Sequence, residues 1–200
     1  MTAKTPSASA AHSVVGQEIH PDVSYRISTA ILLMTLKKIV SGGQTGVDRG
    51  ALDASLGSGF PCGGWVPGDR MAEDGVISDR YPMTPLPYGN YRQRTRLNVV
   101  DSDGTVILYE GSLSGGSRLT RELCKLLDRP CILISARETP EPIVAAEAVL
   151  KFIEDNDIKR LNVAGPRLSD WTQGYEFAFS VIQEAIRKSR MTSISTEPVG

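Results

Sequence analysis

Histidine is scarce in this chain of 200 residues, which contains only two. Both of them, His12 and His20, precede the region in which apolar runs and helical patterns alternate. A core without histidine excludes a Ser-His or Cys-His catalytic couple within one chain. It also lacks the commonest protein ligand of zinc, copper and iron. We therefore name no catalytic residue and no metal ligand from the sequence.

Cysteine, net charge and long apolar runs are also limited. The three cysteines form no CxxC pair, so we expect no disulfide framework and a cytoplasmic location. Cys124 and Cys131 fall in helical and strand patterns and are interpreted as buried small apolar residues.

A formal net charge of -1 gives no basic footprint for nucleic acid. No apolar run approaches the roughly 18 to 20 residues of a membrane span, so we expect neither nucleic acid nor membrane as a partner.

Periodicity divides the chain into three parts. Residues 1–33 lack it and are interpreted as a flexible N-terminal extension, whose apolar run STAILLM is too short for a secretory signal. A targeting role, or a natural start at Met34, remains open. Residues 34–190 are predicted to form one ligand-binding domain, and residues 191–200 a C-terminal tail.

Within the domain, predicted strands alternate with predicted helices. The strands are LKKIV, FPCGGWVP, TVILYEG, PCILIS and RLNVAG. The first three helices are Thr45–Leu56, YRQRTRLNVVDSD and RLTRELCKLLD. The fourth runs from Thr139-Pro140 to about Asp155, with Ile143, Ala146, Leu150 and Ile153 on its apolar face. The last is capped by Ser169 or Asp170 and has Tyr175, Ala178, Val181 or Ile182, and Ala185 facing inward. Residues 68–90 are interpreted as mostly loop, and Arg92, Arg94 and Arg96 as partly exposed. The alternation predicts an α/β fold with a single Rossmann-like, doubly wound parallel sheet and helices on both faces.

Three predicted strands end in loops that contain glycine and lead into helices, namely SGGQTG, SLSGGS and VAGPR. In an open parallel sheet, ligands bind beyond the carboxyl ends of the strands. A helix N-terminus there offers unpaired N–H groups to an anion, and glycine lets the backbone come close to it. An ordinary strand-to-helix turn is the alternative for each loop. Two such loops on strands expected to be neighbours favour a two-part phosphate cradle.

The predicted binding residues come from these loops and their surroundings. Thr45 and Ser117 could add hydroxyl donors, whereas Asp48 could simply favour the start of its helix. The full set is Gly42, Gly43, Gln44, Thr45, Gly46, Asp48, Arg70, Gly115, Gly116, Ser117 and Thr120. The first loop is neither GxGxxG nor GxxxxGK[ST], which argues against a dinucleotide oxidoreductase and a P-loop NTPase.

Five segments in order resemble the putative molybdenum cofactor carrier family: IVSGGQTGVDRGALDASL, GGWVPGDRMAEDG, YRQRTRLNVVDSDGTVIL, SGGSRLT and LNVAGPRLS. The resemblance covers about Lys37 to Lys188. It implies a Rossmann-like homo-oligomer that binds molybdopterin, the phosphate-bearing pterin of the molybdenum cofactor, for storage or transfer without a reaction of its own. It also implies a molybdoenzyme or a cofactor-biosynthesis protein as partner. The family often has cysteine after the tryptophan, where this chain has Val66.

The chain is similar, more distantly, to the Rossmann-like group that contains the lysine-decarboxylase-like LOG nucleotide enzymes. Their PGGxGTxxE motif corresponds here to SGGSRLTRE. That segment keeps the glycine pair and Glu122, but Ser114 replaces the proline and Arg118-Leu119 replaces Gly-Thr. The alternatives to a carrier are therefore a phosphoribohydrolase-like nucleotide hydrolase and a nucleotide-binding sensor, with nucleotide or phosphate as the ligand.

Overall fold

The computed structural model describes residues 36–88 and 90–194. Strands and helices alternate there as the sequence predicts. The strands are β1 (Lys38–Val40), β2 (Cys62–Pro67), β3 (Met71–Ala72), β4 (Gly75–Val76), β5 (Met83–Leu86), β6 (Gly104–Tyr109), β7 (Cys131–Ser135) and β8 (Arg160–Ala164). The helices are α1 (Val47–Gly57), α2 (Tyr91–Val100), α3 (Gly115–Leu126), α4 (Pro142–Asp155) and α5 (Gly174–Ile194).

Six of the strands form one parallel sheet in the order β5-β2-β1-β8-β6-β7. This confirms the Rossmann-like α/β prediction, and β3 and β4 form a separate antiparallel hairpin. The expectation that the strands before the two glycine loops are neighbours is wrong, because β8 lies between β1 and β6. Leu161, Asn162 and Val163 are each at most 2% exposed, as expected of a central strand that is covered on both faces.

Strand β5 is the element that the sequence does not reveal. Residues 68–90 were expected to be mostly loop, yet Met83–Leu86 pairs with β2 at the edge of the sheet. The strand is four residues long and contains Pro85, which has no N–H to donate. Proline is tolerated on an edge strand because one side of that strand has no partner, so the local pattern favours a loop while the position permits a strand.

Three helices begin later than the sequence predicts, and the first of them, α1, starts at Val47 and not at Thr45. Helix α4 starts at Pro142 and not at Thr139-Pro140, because Pro142 holds the preceding Glu141 in an extended conformation. Its buried residues are Ala145, Ala146, Val149 and Ile153, whereas Ile143 is 56% exposed. Helix α5 starts at Gly174 and not beside Ser169 or Asp170, which lie in turns.

The inward face of α5 is confirmed for Ala178, Val181, Ile182 and Ala185, which are at most 2% exposed, whereas Tyr175 is only partly buried. The helix continues to Ile194, four residues into the predicted tail. The predicted extension, residues 1–33, lies outside the described residues. None of the helices in the described ranges is both long enough and apolar enough to cross a lipid bilayer.

Candidate functional site

The first glycine loop, Ser41–Gly46, joins β1 to α1 and hydrogen-bonds to the protein itself. The Gln44 N–H donates to Oδ2 of Asp48 at 3.2 Å, and the Thr45 N–H donates to Oε1 of Gln44 at 3.0 Å. The first N–H of α1, from Val47, donates to the Pro166 carbonyl at 3.3 Å. The loop that follows β8 therefore occupies the N-terminus of α1, where an anion was expected.

Close packing explains two of the glycines in this loop. A Cβ on Gly42 would lie 1.4 Å from Nη1 of Arg94, and a Cβ on Gly46 would lie 2.6 Å from the Pro166 carbonyl oxygen. Gly46 also has a φ of 75°, in the left-handed region that favours glycine. Glycine fits at both positions because it has no Cβ, and neighbouring protein atoms come too close to the backbone to leave space for one. That these glycines bind a ligand stays a prediction.

The second glycine loop, at the N-terminus of α3, is open. Ser114 is the N-cap residue but its side chain makes no capping hydrogen bond. Among the described residues, a Cβ on Gly115 would meet no atom within 4 Å, and one on Gly116 would meet Tyr91 alone, at 3.9 Å. A helix start without a side-chain cap leaves N–H groups and a partial positive charge for an anion.

A polar cleft of about 60 Å³ lies between these two loops. Helix α2 and the loop after β8 form its remaining walls. Its lining residues are Gln44, Asp48, Tyr91, Arg94, Thr95, Ser114, Gly116, Ser117, Thr120, Ala164, Gly165, Pro166, Arg167 and Asp170. The structure thus brings five predicted binding residues together in the cleft: Gln44, Asp48, Gly116, Ser117 and Thr120. The other six are not among its lining residues: Gly42, Gly43, Thr45, Gly46, Arg70 and Gly115.

Arg94 is the central side chain of the cleft, and the expectation that it is partly exposed is wrong. It is 6% exposed, and its Nη1 lies 3.6 Å from Oδ2 of Asp48, which is itself 5% exposed. The guanidinium also lies over the Tyr91 ring, 4.2 Å from its centroid. Its Nε is buried and has no hydrogen-bond partner within the described residues. An unpaired N–H of a buried cation is costly, so the described residues leave part of the hydrogen-bonding capacity of Arg94 unsatisfied.

The burial of Arg94 has only a weak signal in the sequence. The buried positions of α2 are Arg94, Thr95, Asn98 and Val99, which recur at helical spacing, whereas Arg92 and Arg96 are exposed. The apolar residue in this set is Val99 alone, so hydrophobic periodicity is too weak to mark the buried face.

Asp48 is the buried counter-charge of Arg94. Burial raises the pKa of its carboxyl above the ordinary value of 3.8, and the attraction of Arg94 offsets only part of this effect. The Asp48 carboxylate lies beside Nη1 of Arg94, whereas Nε of the same guanidinium has no partner among the described residues.

Glu73 joins the hairpin to the two loops around α1. Its carboxylate accepts hydrogen bonds from the Thr45 hydroxyl, from the Ser169 hydroxyl at 2.8 Å and from the Ser169 N–H at 3.2 Å. Its own N–H donates to Oε1 of Gln44 at 2.9 Å. Partial burial acts to raise the pKa of Glu73, but these hydrogen bonds lower it below the ordinary value of 4.5. Glu73 thus fixes the position of one wall of the cleft.

Arg70, from the same segment as Glu73, supports the fold beside the cleft. Its guanidinium donates hydrogen bonds to the backbone carbonyls of Ile77 at 3.2 Å, Ser78 at 3.1 Å, Met83 at 3.3 Å and Tyr81 at 3.5 Å. These contacts hold the segment between the hairpin and β5. A role of Arg70 in ligand binding stays a prediction.

Comparisons with known proteins agree with the resemblance seen in the sequence. A model of the circularly permutated YpsA SLOG family matches residues 39–186. The crystal structure of a protein from Syntrophus aciditrophicus SB, named "putative molybdenum carrier protein", is similar with a TM-score of 0.73 and 37% sequence identity. The match covers 76% of this chain and 96% of that one. The comparison with curated proteins gave no significant match.

Proposed function

Because the chain belongs to the circularly permutated YpsA SLOG family, we propose that its cleft binds a small phosphorylated ligand, and that this ligand is the molybdenum cofactor, which the protein carries or stores. The similar protein from Syntrophus aciditrophicus is named as a molybdenum carrier, which supports this choice of ligand. The observation that carries the proposal is the buried Nε of Arg94, which has no partner in the described residues and belongs to a residue lining the cleft beside the start of α3.

The phosphate group of the ligand fits this arrangement. The N–H groups at the start of α3 donate to its oxygens, and Nε of Arg94 donates from the opposite element. Ser117 lines the same surface and offers a hydroxyl group. A cleft of about 60 Å³ holds a phosphate group but not a whole pterin, so the ring and the molybdenum lie outside it. The position where the family often has cysteine, Val66, is fully buried in β2.

A conservative substitution of Arg94 tests this proposal. Arg94→Lys keeps a positive charge beside Asp48 but removes Nε and the planar fork. We expect the affinity for inorganic phosphate to fall about ten-fold, since a charge-assisted hydrogen bond contributes roughly 1.5 to 3 kcal/mol. Arg96→Lys on the exposed face of α2 is the matched control and should bind like the wild type. Calorimetry on the full chain measures both.

The identity of the ligand is tested on the purified protein. We expect mass spectrometry and metal analysis to detect pterin and molybdenum. Adenine nucleotide in their place would support the nucleotide-binding alternatives. The cleft proposal fails altogether if no phosphorylated compound or oxyanion at millimolar concentration changes the melting temperature.

The nucleotide hydrolase is the rival function, and the position of its expected acid argues against it. Glu122 is 64% exposed, forms an ion pair with Arg118 at 3.7 Å, and does not line the cleft. We expect no release of adenine from adenosine monophosphate, as followed by chromatography, and Glu122→Ala should leave phosphate affinity within a few-fold. Release by the wild type that Glu122→Ala abolishes would overturn the carrier proposal.

A homo-oligomer remains part of the proposal, as does transfer of the ligand to a molybdoenzyme or a cofactor-biosynthesis protein. Ile143 and Val144 on α4 are 56% and 51% exposed, which is unusual for apolar side chains at adjacent positions. Light scattering at micromolar concentration should give a particle larger than the 21.6 kDa of one chain. A particle of that mass would count against assembly.

A further inference from the structure

A wider groove of about 500 Å³ adjoins the polar cleft and shares Tyr91 with it as a wall. The end of β2, the hairpin and the turn before α2 supply the other walls: Pro67, Gly68, Asp69, Met71, Tyr88 and Asn90. We propose that this groove holds the ring of the ligand, and that the ring is a flat heterocycle with amide and amino N–H donors on one edge, as in pterin or guanine. The inference rests on the proposed function of the cleft.

The exposed side chains of the groove suit a flat ring. Tyr88 is fully exposed, and its φ of 59° lies in the left-handed region, which a bulky residue rarely adopts. Met71 and Tyr91 are 45% and 42% exposed. Aromatic faces stack on heterocyclic rings, and a methionine sulfur makes favourable contacts with them. The groove thus presents three such surfaces to one ligand.

Tyr91 links the ring groove to the phosphate cleft. One face of its ring is covered by the Arg94 guanidinium, 4.2 Å from the ring centroid. Its hydroxyl oxygen accepts a hydrogen bond from Nε2 of Gln44 at 3.2 Å. The ring is therefore held in place before a ligand arrives, which reduces the entropy lost on binding. A ligand whose phosphate contacts Arg94 would extend past Tyr91 into the groove.

Asp69 supplies the selectivity for the edge of the ring. Its Oδ1 accepts the Met71 N–H at 3.0 Å, while Oδ2 accepts no hydrogen bond from residues 36–88 or 90–194. A carboxylate pairs with two adjacent N–H donors, such as the ring amide and the exocyclic amine of pterin or guanine. Adenine presents one donor and one acceptor on the corresponding edge, and the acceptor would face the carboxylate unfavourably.

The test compares four probes on the full chain by calorimetry: guanosine monophosphate, adenosine monophosphate, neopterin monophosphate and ribose 5-phosphate. We expect the guanine and pterin compounds to bind about ten-fold or more tightly than ribose 5-phosphate, because ring stacking contributes at least that much. Tighter binding of the pterin compound would support the molybdenum cofactor as the ligand, and tighter binding of guanosine monophosphate would overturn that choice. Adenosine monophosphate should bind more weakly than guanosine monophosphate.

Two variants distinguish binding of the ring in the groove from binding of the phosphate in the cleft. Tyr88→Ala should lower the affinity for the guanine and pterin compounds about ten-fold and leave the affinity for ribose 5-phosphate unchanged. Asp69→Asn should lower the affinity for the same two compounds and leave the affinity for adenosine monophosphate unchanged. The control is Leu126→Ala, which removes a side chain that is 77% exposed at the end of α3 and should change nothing.

The outcomes separate the two proposals. If ribose 5-phosphate binds as tightly as guanosine monophosphate, the groove is wrong and the cleft survives. If all four probes fail to bind, the proposed function falls as well. If Asp69→Asn lowers the affinities for adenosine monophosphate and guanosine monophosphate equally, the assignment of the ring edge is wrong.

Discussion

The two glycine loops look alike in the sequence and differ in what surrounds them. In the first loop, a Cβ on Gly42 or Gly46 would collide with Arg94 or with the backbone of the loop after β8. In the second, a Cβ on Gly115 would meet no atom of residues 36–88 or 90–194 within 4 Å. Glycine serves close packing between protein segments in the first case and open access to a helix N-terminus in the second. The same composition therefore indicates a ligand site only where the space beside the backbone is free.

The largest effect is expected from substitution of Gly46 in the first loop. Gly46→Ala places a side chain at a φ of 75° and 2.6 Å from the Pro166 carbonyl oxygen. We expect the free energy of unfolding to fall by about 2 to 5 kcal/mol, from left-handed strain and overpacking together. The melting temperature should fall by roughly 5 to 15 °C, as measured by calorimetry.

Gly115→Ala is the matched control for Gly46→Ala. Gly115 also has a positive φ, 47°, but a Cβ there would meet no atom within 4 Å in the part of the chain that the structure describes. Gly115→Ala should lower the free energy of unfolding by about 1 to 2 kcal/mol, from left-handed strain without overpacking. Equal losses in the two variants would mean that packing around the first loop contributes nothing.

Substitution of Gly116, in the second loop, should change binding and not stability. Gly116 has no positive φ, and a side chain there would meet only Tyr91. Gly116→Val should lower phosphate affinity about ten-fold or more, because it blocks one or two charge-assisted hydrogen bonds. The melting temperature should stay within about 2 °C of the wild type.

Gly57→Val is the matched control for Gly116→Val, since Gly57 ends α1 and has nothing within 4 Å of its Cβ position. It should bind phosphate normally. Unchanged binding in Gly116→Val would remove the second loop from the site.

The smallest effect is expected at Glu73, which fixes the first loop to the hairpin. Its pKa is lowered in the folded state, so its contribution to stability is present above 4.5 and is lost as pH falls through the lower folded value. Glu73→Gln should melt roughly 2 to 4 °C below the wild type at pH 7, for a loss of about 1 kcal/mol. The difference should shrink with acidification, as followed by thermal melts across pH.

Glu122→Gln, at an exposed glutamate on α3, is the control for this pH series and should follow the wild type. A Glu73→Gln deficit that is independent of pH would show that the carboxylate charge is not the source of the stability.

Local sequence predicts most elements here because buried parallel strands and amphipathic helices have distinct periods. The order of the strands is a different matter, since nothing within RLNVAG says that it pairs with both β1 and β6. Arg94 is missed for a related reason. Charged side chains are exposed by default, and the burial of Arg94 depends on Asp48, which lies 46 positions earlier in the chain and meets it only in the folded state.

The central position of β8 has a consequence for how the molecule is made. Strands β5, β2 and β1 form one half of the sheet, β6 and β7 form the other, and β8 pairs with both. During synthesis the two halves emerge from the ribosome first, each with an unpaired strand edge that can associate with other chains. The cleft closes at the same late moment, because the loop after β8 forms one of its walls. A ribosome stalled before residue 160 would therefore display an aggregation-prone chain without a binding site.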